Sequence, residues 1–238
     1  MRLSRVSLVF PTGTKALTDV DLVVEHGQFV AIVGPSGCGK STLLRVIAGL
    51  ETASSGTVDA PTRGVAFVFQ DANLLPWRTI RANVALPLEL AGDHTAGARV
   101  EDALRRVGLD GFFDQYPHEL SGGMRMRASL ARALVTRPRV MLLDEPFGAL
   151  DEITRYRLQD DLLTLHAELG FTALFVTHSV FEAAYLADRV VVMSGRPGRV
   201  VGDLPIHLDR PRSASLRTDP AFGPVVQSVT DVLRAELT

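Results

Sequence analysis

A single cysteine, Cys38, stands among 238 residues. One thiol excludes an intramolecular disulfide and agrees with a reducing compartment. An excess of either charge is also lacking: 25 Lys and Arg against 27 Asp and Glu leave a formal net charge of -2. No global basic field therefore points to a nucleic-acid partner. No apolar run approaches the roughly 20 residues that a bilayer span needs. Met1-Arg2-Leu3-Ser4-Arg5 does not lead into a signal-peptide core, because charge and polarity recur too soon. The expectation is a soluble, intracellular protein without internal repeats or low-complexity blocks. What the chain has in quantity is apolar bulk, 46% of residues, enough to bury a substantial core and to exclude disorder over most of its length. The length fits one large domain, or a domain with an inserted subdomain.

Everything else is organised around Gly34-Pro35-Ser36-Gly37-Cys38-Gly39-Lys40-Ser41-Thr42. The run Phe29–Val33 before it is short, β-branched and uncharged, which predicts a buried strand. The run Leu43–Ala48 after it predicts a helix ending at Gly49. A glycine-rich turn between strand and helix is the P-loop arrangement, G-x-x-x-x-G-K-[ST]. Gly34, Gly37 and Gly39 let backbone N–H groups point inward at an anion. The helix N-terminus adds partial positive charge and unpaired donors. Lys40 brings a full charge to β- and γ-phosphates, and the Ser41 hydroxyl suits Mg²⁺.

Residues 2–10 and 17–24 predict two strands, with Glu25-His26-Gly27 as a hairpin into the P-loop strand. Phe10, just before a turn, is either a ring that stacks on a nucleobase or an ordinary strand residue. Val65–Phe69 predicts a strand ending at Gln70, whose amide is placed to reach Mg²⁺ or an attacking water, although Gln at a strand end is common. Leu74-Leu75-Pro76-Trp77 is either a core-covering loop or an exposed anchor for a partner. Residues 98–108 have the spacing of an amphipathic helix. Ser121 can cap the helix that follows it. Gly122 and Gly123 are costly in its first turn, and they make sense either as tolerated glycines or where a ligand approaches bare N–H groups.

Val140–Leu143 predicts a fully apolar strand ending in Asp144-Glu145. Two carboxylates at the mouth of a buried strand are expensive unless a cation or a proton transfer uses them. Asp144 is the metal-side candidate and Glu145 the candidate general base. Residues 153–169 predict a helix with Ile153, Leu158, Leu162, Leu165 and Leu169 on one broad face. Phe171–Val176 predicts a strand stopping at Thr177-His178. His178 is either a γ-phosphate contact or a satisfied surface histidine. Residues 189–193 predict one more strand, and the tail closes with an amphipathic helix holding Phe222, Val225, Val226, Val229, Leu233 and Leu237.

Taken together, these pieces resemble the ATP-binding subunit of an ATP-binding-cassette (ABC) transporter. The P-loop, the Gln70 loop, Leu120-Ser121-Gly122-Gly123, Asp144-Glu145, Gly148-Ala149-Leu150-Asp151 and His178 occur in that family's order over at least residues 1–212. The resemblance implies an α/β fold: a P-loop NTPase (RecA-like) core over 1–84 and 135–238, an N-terminal antiparallel β-subdomain, and an inserted α-helical subdomain over 85–134. It implies ATP and Mg²⁺ as cofactors, with Ser41, Gln70 and Asp144 on the metal. It implies that Phe10 stacks on adenine, that the P-loop amides and Lys40 hold the phosphates, that Glu145 polarises the attacking water and that His178 contacts the γ-phosphate. It also implies a head-to-tail dimer, in which Ser121, Gly122 and Gly123 of one copy meet the nucleotide of the other and Asp151 serves the dimer contact. Further implied partners are permease subunits engaged through residues 70–84 and, indirectly, a periplasmic or lipid-anchored solute-binding protein. The implied location is the cytoplasmic face of the membrane. Met124 and Met126 stand where Gln is common, and a thioether donates no hydrogen bond. Phe69–Trp77 and Leu208–Arg212 look most like importers of the nitrate, sulfonate, taurine, bicarbonate and pyrimidine-precursor group. A soluble ABC ATPase acting on a non-transport partner is the alternative.

Overall fold

The computed structural model describes residues 1–93 and 95–236. In chain order the elements are β1 (Arg2–Val9), β2 (Lys15–Val23), β3 (Phe29–Val33), α1 (Lys40–Ile47), β4 (Ser55–Asp59), β5 (Val65–Val68), α2 (Ile80–Leu90), α3 (Gly97–Arg106), α4 (Gly122–Leu134), β6 (Val140–Asp144), α5 (Glu152–Leu169), β7 (Thr172–Val176), α6 (Val180–Leu186), β8 (Arg189–Met193), β9 (Val200–Pro205) and α7 (Phe222–Ala235). The chain divides into two compact units, residues 1–63 with 170–238, and residues 64–169.

The first unit is α/β. Its small sheet is antiparallel, in the order β2-β1-β4. β1 alternates Leu3, Val6 and Leu8 inward with exposed Arg2, Arg5 and Val9, the period of a sheet with one buried face. β3 belongs elsewhere: it pairs in parallel with β7 on one side and β8 on the other. Every residue of β3 and of β7 is buried, the pattern of strands covered on both faces. The hairpin expected from Glu25-His26-Gly27 is therefore absent. The turn changes sheets instead, because an all-apolar strand gains most in a two-sided core, whereas the half-polar β2 suits the one-sided sheet. β9 closes this group antiparallel to β8.

The second unit holds the parallel pair β5 and β6 with α2, α3, α4 and α5. α2 is a helix despite the prolines in and before it. Thr79 accepts a hydrogen bond from the Ala82 N–H at 3.2 Å and so caps it, Pro76 lies before it, and Pro87 is carried in its last turn. α5 buries Leu158, Leu162, Leu163 and Leu165, but Ile153 and Leu169 at its ends are exposed, so the apolar face is shorter than its spacing suggested. In α7 only Phe222 and Val229 are buried, and Leu237 lies outside the described residues.

Candidate functional site

The phosphate cradle forms where β3 ends. Gly39 sits at φ 109° as the cap of α1, a conformation that a side chain strains. A Cβ there would also stand 2.8 Å from the Ala16 carbonyl oxygen. α1 has no side-chain cap and no acidic residue in its first turn, so nothing of its own competes for the donors and the positive end of the helix. Lys40 is buried; its ammonium donates to the Gly34 and Pro35 carbonyls, both at 2.9 Å. Its charge is thereby held beneath the loop. Ser36 and Gly37 are exposed, and Pro35, Ser41 and Thr42 are half-buried. Cys38 turns inward, 1% exposed, with Sγ 3.9 Å from the Lys40 ammonium. It packs the loop from inside.

Two other sequence candidates share this unit. Phe10 is half-buried at the tip of the β1–β2 turn, where its N–H donates to the Thr14 carbonyl at 2.9 Å and its carbonyl accepts from the Gly13 N–H at 2.8 Å. His178 is exposed just beyond β7. Since β3 and β7 are parallel neighbours, the cradle and His178 follow the carboxyl ends of adjacent strands, the side on which open α/β sheets bind ligands.

The second unit repeats that logic with acids. β5 and β6 are parallel neighbours, and Gln70 and Asp144-Glu145 stand at or just past their carboxyl ends. Asp144 is the last residue of an all-buried strand and is itself buried. Glu145 has φ 46°, a left-handed conformation that costs a non-glycine residue about 1–3 kcal/mol and that clusters at functional sites. A Cβ built on Gly148 would lie 3.7 Å from Gln70 Nε2 and 3.8 Å from Glu145 Oε2, so amide, carboxylate and bare glycine share one corner.

Ser121 caps α4, its hydroxyl accepting from the Met124 N–H at 3.3 Å. The two glycines after it differ. Gly123 is buried, and a Cβ there would meet Thr154 Cγ2 at 2.4 Å, so packing against α5 alone excludes a side chain. Gly122 is exposed and would meet nothing closer than Leu150 Cδ2 at 3.7 Å. Nothing within the chain demands it. Asp151 is exposed; its Oδ1 accepts from the Thr154 N–H at 2.9 Å, and hydrogen bonds from Thr154 hold its carboxyl below the usual carboxylate range. Met126 is a buried core residue.

Two residues that hold the segments after Gln70 escaped the sequence. Arg132, on α4, donates to the Ala72 and Asn73 carbonyls, each at 2.7 Å, and so fixes the segment after Gln70. The buried Asn83 accepts from the Leu75 N–H at 2.7 Å and donates to the carbonyls of Leu75, Arg78 and Thr79. It shapes the loop that presents Trp77, 73% exposed. A groove of about 420 Å³ opens beside them, lined by Phe67, Phe69, Leu86, Pro87, Leu90 and Arg132. A polar side chain inside an apolar helical repeat is the signal that marks both residues.

Residues 17–148 match the sequence model of the family described as "ABC transporter". The chain belongs to the ABC transporter family. Relatives extend the match over nearly the whole cassette. The aliphatic sulfonates import ATP-binding protein SsuB 1 of Pseudomonas savastanoi pv. phaseolicola is 45% identical over 94% of this chain and 93% of its own length. The nitrate import ATP-binding protein NrtC of Synechococcus elongatus is 46% identical over 83% of this chain and 31% of its own longer sequence. Among solved structures, the ATP-binding cassette MJ0796, a dimer in a post-hydrolysis state bound to ADP and Pi, matches with a TM-score of 0.75 and 31% identity over 87% of this chain and 99% of that one. CbiO1 of Clostridium perfringens, part of the ABC transporter complex cbiONQ, matches with a TM-score of 0.77 and 26% identity over 97% and 98%. The fold is that of the P-loop NTPase cassettes, and the chain is an ATP-binding, ATP-hydrolysing transporter subunit. Among the described residues no helix is long and apolar enough to cross a membrane.

Proposed function

We propose that this cassette powers an importer of a small solute of the sulfonate or nitrate kind, with two copies closing head to tail on ATP and Mg²⁺. Its relatives' names support the importer class. The observation that carries hydrolysis is the corner made by Gln70, Glu145 and Gly148 beyond β5 and β6. In this reading the cradle amides and Lys40 hold the triphosphate, and the Phe10 ring stacks on adenine. Gln70 orients a water. As its oxygen attacks the γ-phosphorus, the Glu145 carboxylate accepts the water's proton and the bond to the ADP oxygen breaks. His178 contacts the γ-phosphate. Asp151, whose carboxylate accepts from the Thr154 N–H, serves the dimer contact.

Mg²⁺ suits the donors present. Among the described residues no cluster of three or more His, Cys, Asp or Glu is placed to hold a metal, and Mg²⁺ takes one or two carboxylates plus waters and substrate phosphates rather than a protein cage. Ser41, Gln70 and Asp144 are the hard oxygen donors that would hold it; bound there, it would neutralise charge on the β- and γ-phosphates.

The partner copy would bring Ser121, Gly122 and Gly123. The exposed Gly122, which packing within the chain does not require, supports a role outside the chain. The groove beside Arg132, with the exposed Leu90 in its wall, and the exposed Trp77 support permease docking through residues 70–84. Such a complex would lie on the cytoplasmic face of the membrane, with a solute-binding protein acting through the permease. Glu145→Gln is the direct test. It should bring hydrolysis to background while ATP with Mg²⁺ traps a dimer, and unchanged turnover would remove Glu145 as the base. Solute uptake lost on deletion of the gene, and restored by the wild-type chain but not by Glu145→Gln, tests the importer class.

A further inference from the structure

The chain beyond β9 is spent largely on one short helix. The Ile206 N–H donates to the Asp188 carbonyl at 2.9 Å. Arg210 Nε donates to Asp188 Oδ1 at 2.7 Å, and its Nη2 donates to the Leu186 carbonyl at 2.9 Å. Arg212 Nη1 donates to the carbonyls of Tyr185 at 2.8 Å and Ala187 at 2.9 Å. The Arg217 guanidinium lies 3.8 Å from the centroid of the Tyr185 ring, and Phe222 meets Phe181 edge-on at 4.7 Å. The last carbonyls of a helix have no intrahelical partners and carry partial negative charge. Two arginines take over those of α6. Burial, and then the neighbouring Arg210, lower the pKa of Arg212 to about 10, which leaves it charged at neutral pH.

The other end of α6 begins beside His178. The Ser179 N–H donates to Thr177 Oγ1 at 3.0 Å, and Thr177 Oγ1 donates to Glu182 Oε2, both residues buried, at 2.5 Å. Ser179 Oγ accepts from the Glu182 N–H at 3.2 Å. His178 therefore sits between two residues tied to the first turn of α6. That helix is seven residues long, too short to hold its own geometry, so its placement depends on what packs against it and on what grips its far end.

We propose that residues 206–222 are a strap that positions His178, with Arg210 and Arg212 as positioning residues for ATP hydrolysis. The proposal rests on His178 acting at the γ-phosphate. It is tested on the full-length chain by magnesium-dependent ATPase kinetics of Arg210→Gln, Arg212→Gln and Arg210→Lys, each alone and with His178→Ala, together with amide exchange over residues 177–187. Arg210→Gln and Arg212→Gln should lower kcat about tenfold or more while the KM for ATP moves less than about twofold, because the cradle is not touched. Exchange over α6 should speed up in parallel. Arg210→Lys keeps a cation on Asp188 and should recover most of the rate. In the His178→Ala background the arginine changes should cost nothing further. Normal turnover in the arginine variants, or losses that multiply with His178→Ala, would overturn the strap. If His178→Ala itself turns over at the wild-type rate, the assignment of His178 fails and the strap falls with it. A variant that does not fold is replaced by Arg210→Lys, whose graded loss and exchange decide in the same way.

Discussion

Gly122 and Gly123 are adjacent and similar in sequence, yet the structure gives them opposite behaviour. In Gly123→Ala the new methyl would lie 2.4 Å from Thr154 Cγ2. Carbon atoms pack best at about 3.5–4.0 Å, so the start of α4 must move about 1 Å away from α5, or Thr154 must leave its rotamer. Overpacking of this kind costs about 1–3 kcal/mol. Removing Cγ2 relieves it, because the next nearest atom is Thr154 Cβ at 3.8 Å. Thr154→Ser should therefore restore most of what Gly123→Ala loses, a coupling that a double-mutant cycle reads directly. Gly122→Ala has ordinary contacts only, and alanine is the better helix former by up to about 1 kcal/mol. It should leave the nucleotide-free chain as stable as before, or more so. In the head-to-tail dimer we propose, its methyl would stand where the partner's nucleotide approaches. There the same overpacking of about 1–3 kcal/mol predicts about 5- to 150-fold weakening of the ATP-dependent dimer, measured in the Glu145→Gln background by light scattering. Urea midpoints of the nucleotide-free chains supply the other half of the experiment. Equal destabilisation by both alanines, or no rescue by Thr154→Ser, would refute the reasoning.

The Asp151 carboxylate is held below its unfolded pKa by hydrogen bonds from Thr154. It contributes stability above that unfolded value and loses it as pH falls through the lowered one, so the stability difference between wild type and Asp151→Asn should hold at neutral pH and shrink as pH falls below about 4; a difference flat with pH would exclude this charge-assisted contribution. Asn83→Leu strands the Leu75 N–H and several carbonyls and should cost about 1–3 kcal/mol, and the fluorescence anisotropy of Trp77, the only tryptophan, should drop as its loop loosens. Cys38, 1% exposed, should react with a thiol reagent in the folded chain at least about a hundredfold more slowly than in denaturant, because only local opening exposes it; reaction at the rate of a free thiol would place its sulfur at the surface.

The local elements of the candidate site were legible in the sequence because each is specified by its chain neighbours. A strand, a glycine-rich turn and a helix are specified within the one stretch from Phe29 to Ile47, and Asp144-Glu145 announces itself by following a wholly apolar strand. Elements that depend on distant partners left little trace. β4 reads Ser-Gly-Thr-Val-Asp and is a strand because β1 pairs with it. β9 exists through β8. α2 needed its Thr79 cap and buried Ile80, Val84 and Leu88 to outweigh Pro87.

Sequence by itself settled which residue types stand at strand ends and helix starts, since backbone freedom, charge and capping are properties of short segments. Only the tertiary structure decided why Gly123 must lack a side chain while Gly122 need not, which loop Asn83 and Arg132 hold, and that the tail grips α6. Those are facts about volume and hydrogen-bond partners supplied by residues far away in the chain, and no local pattern encodes the distance between them.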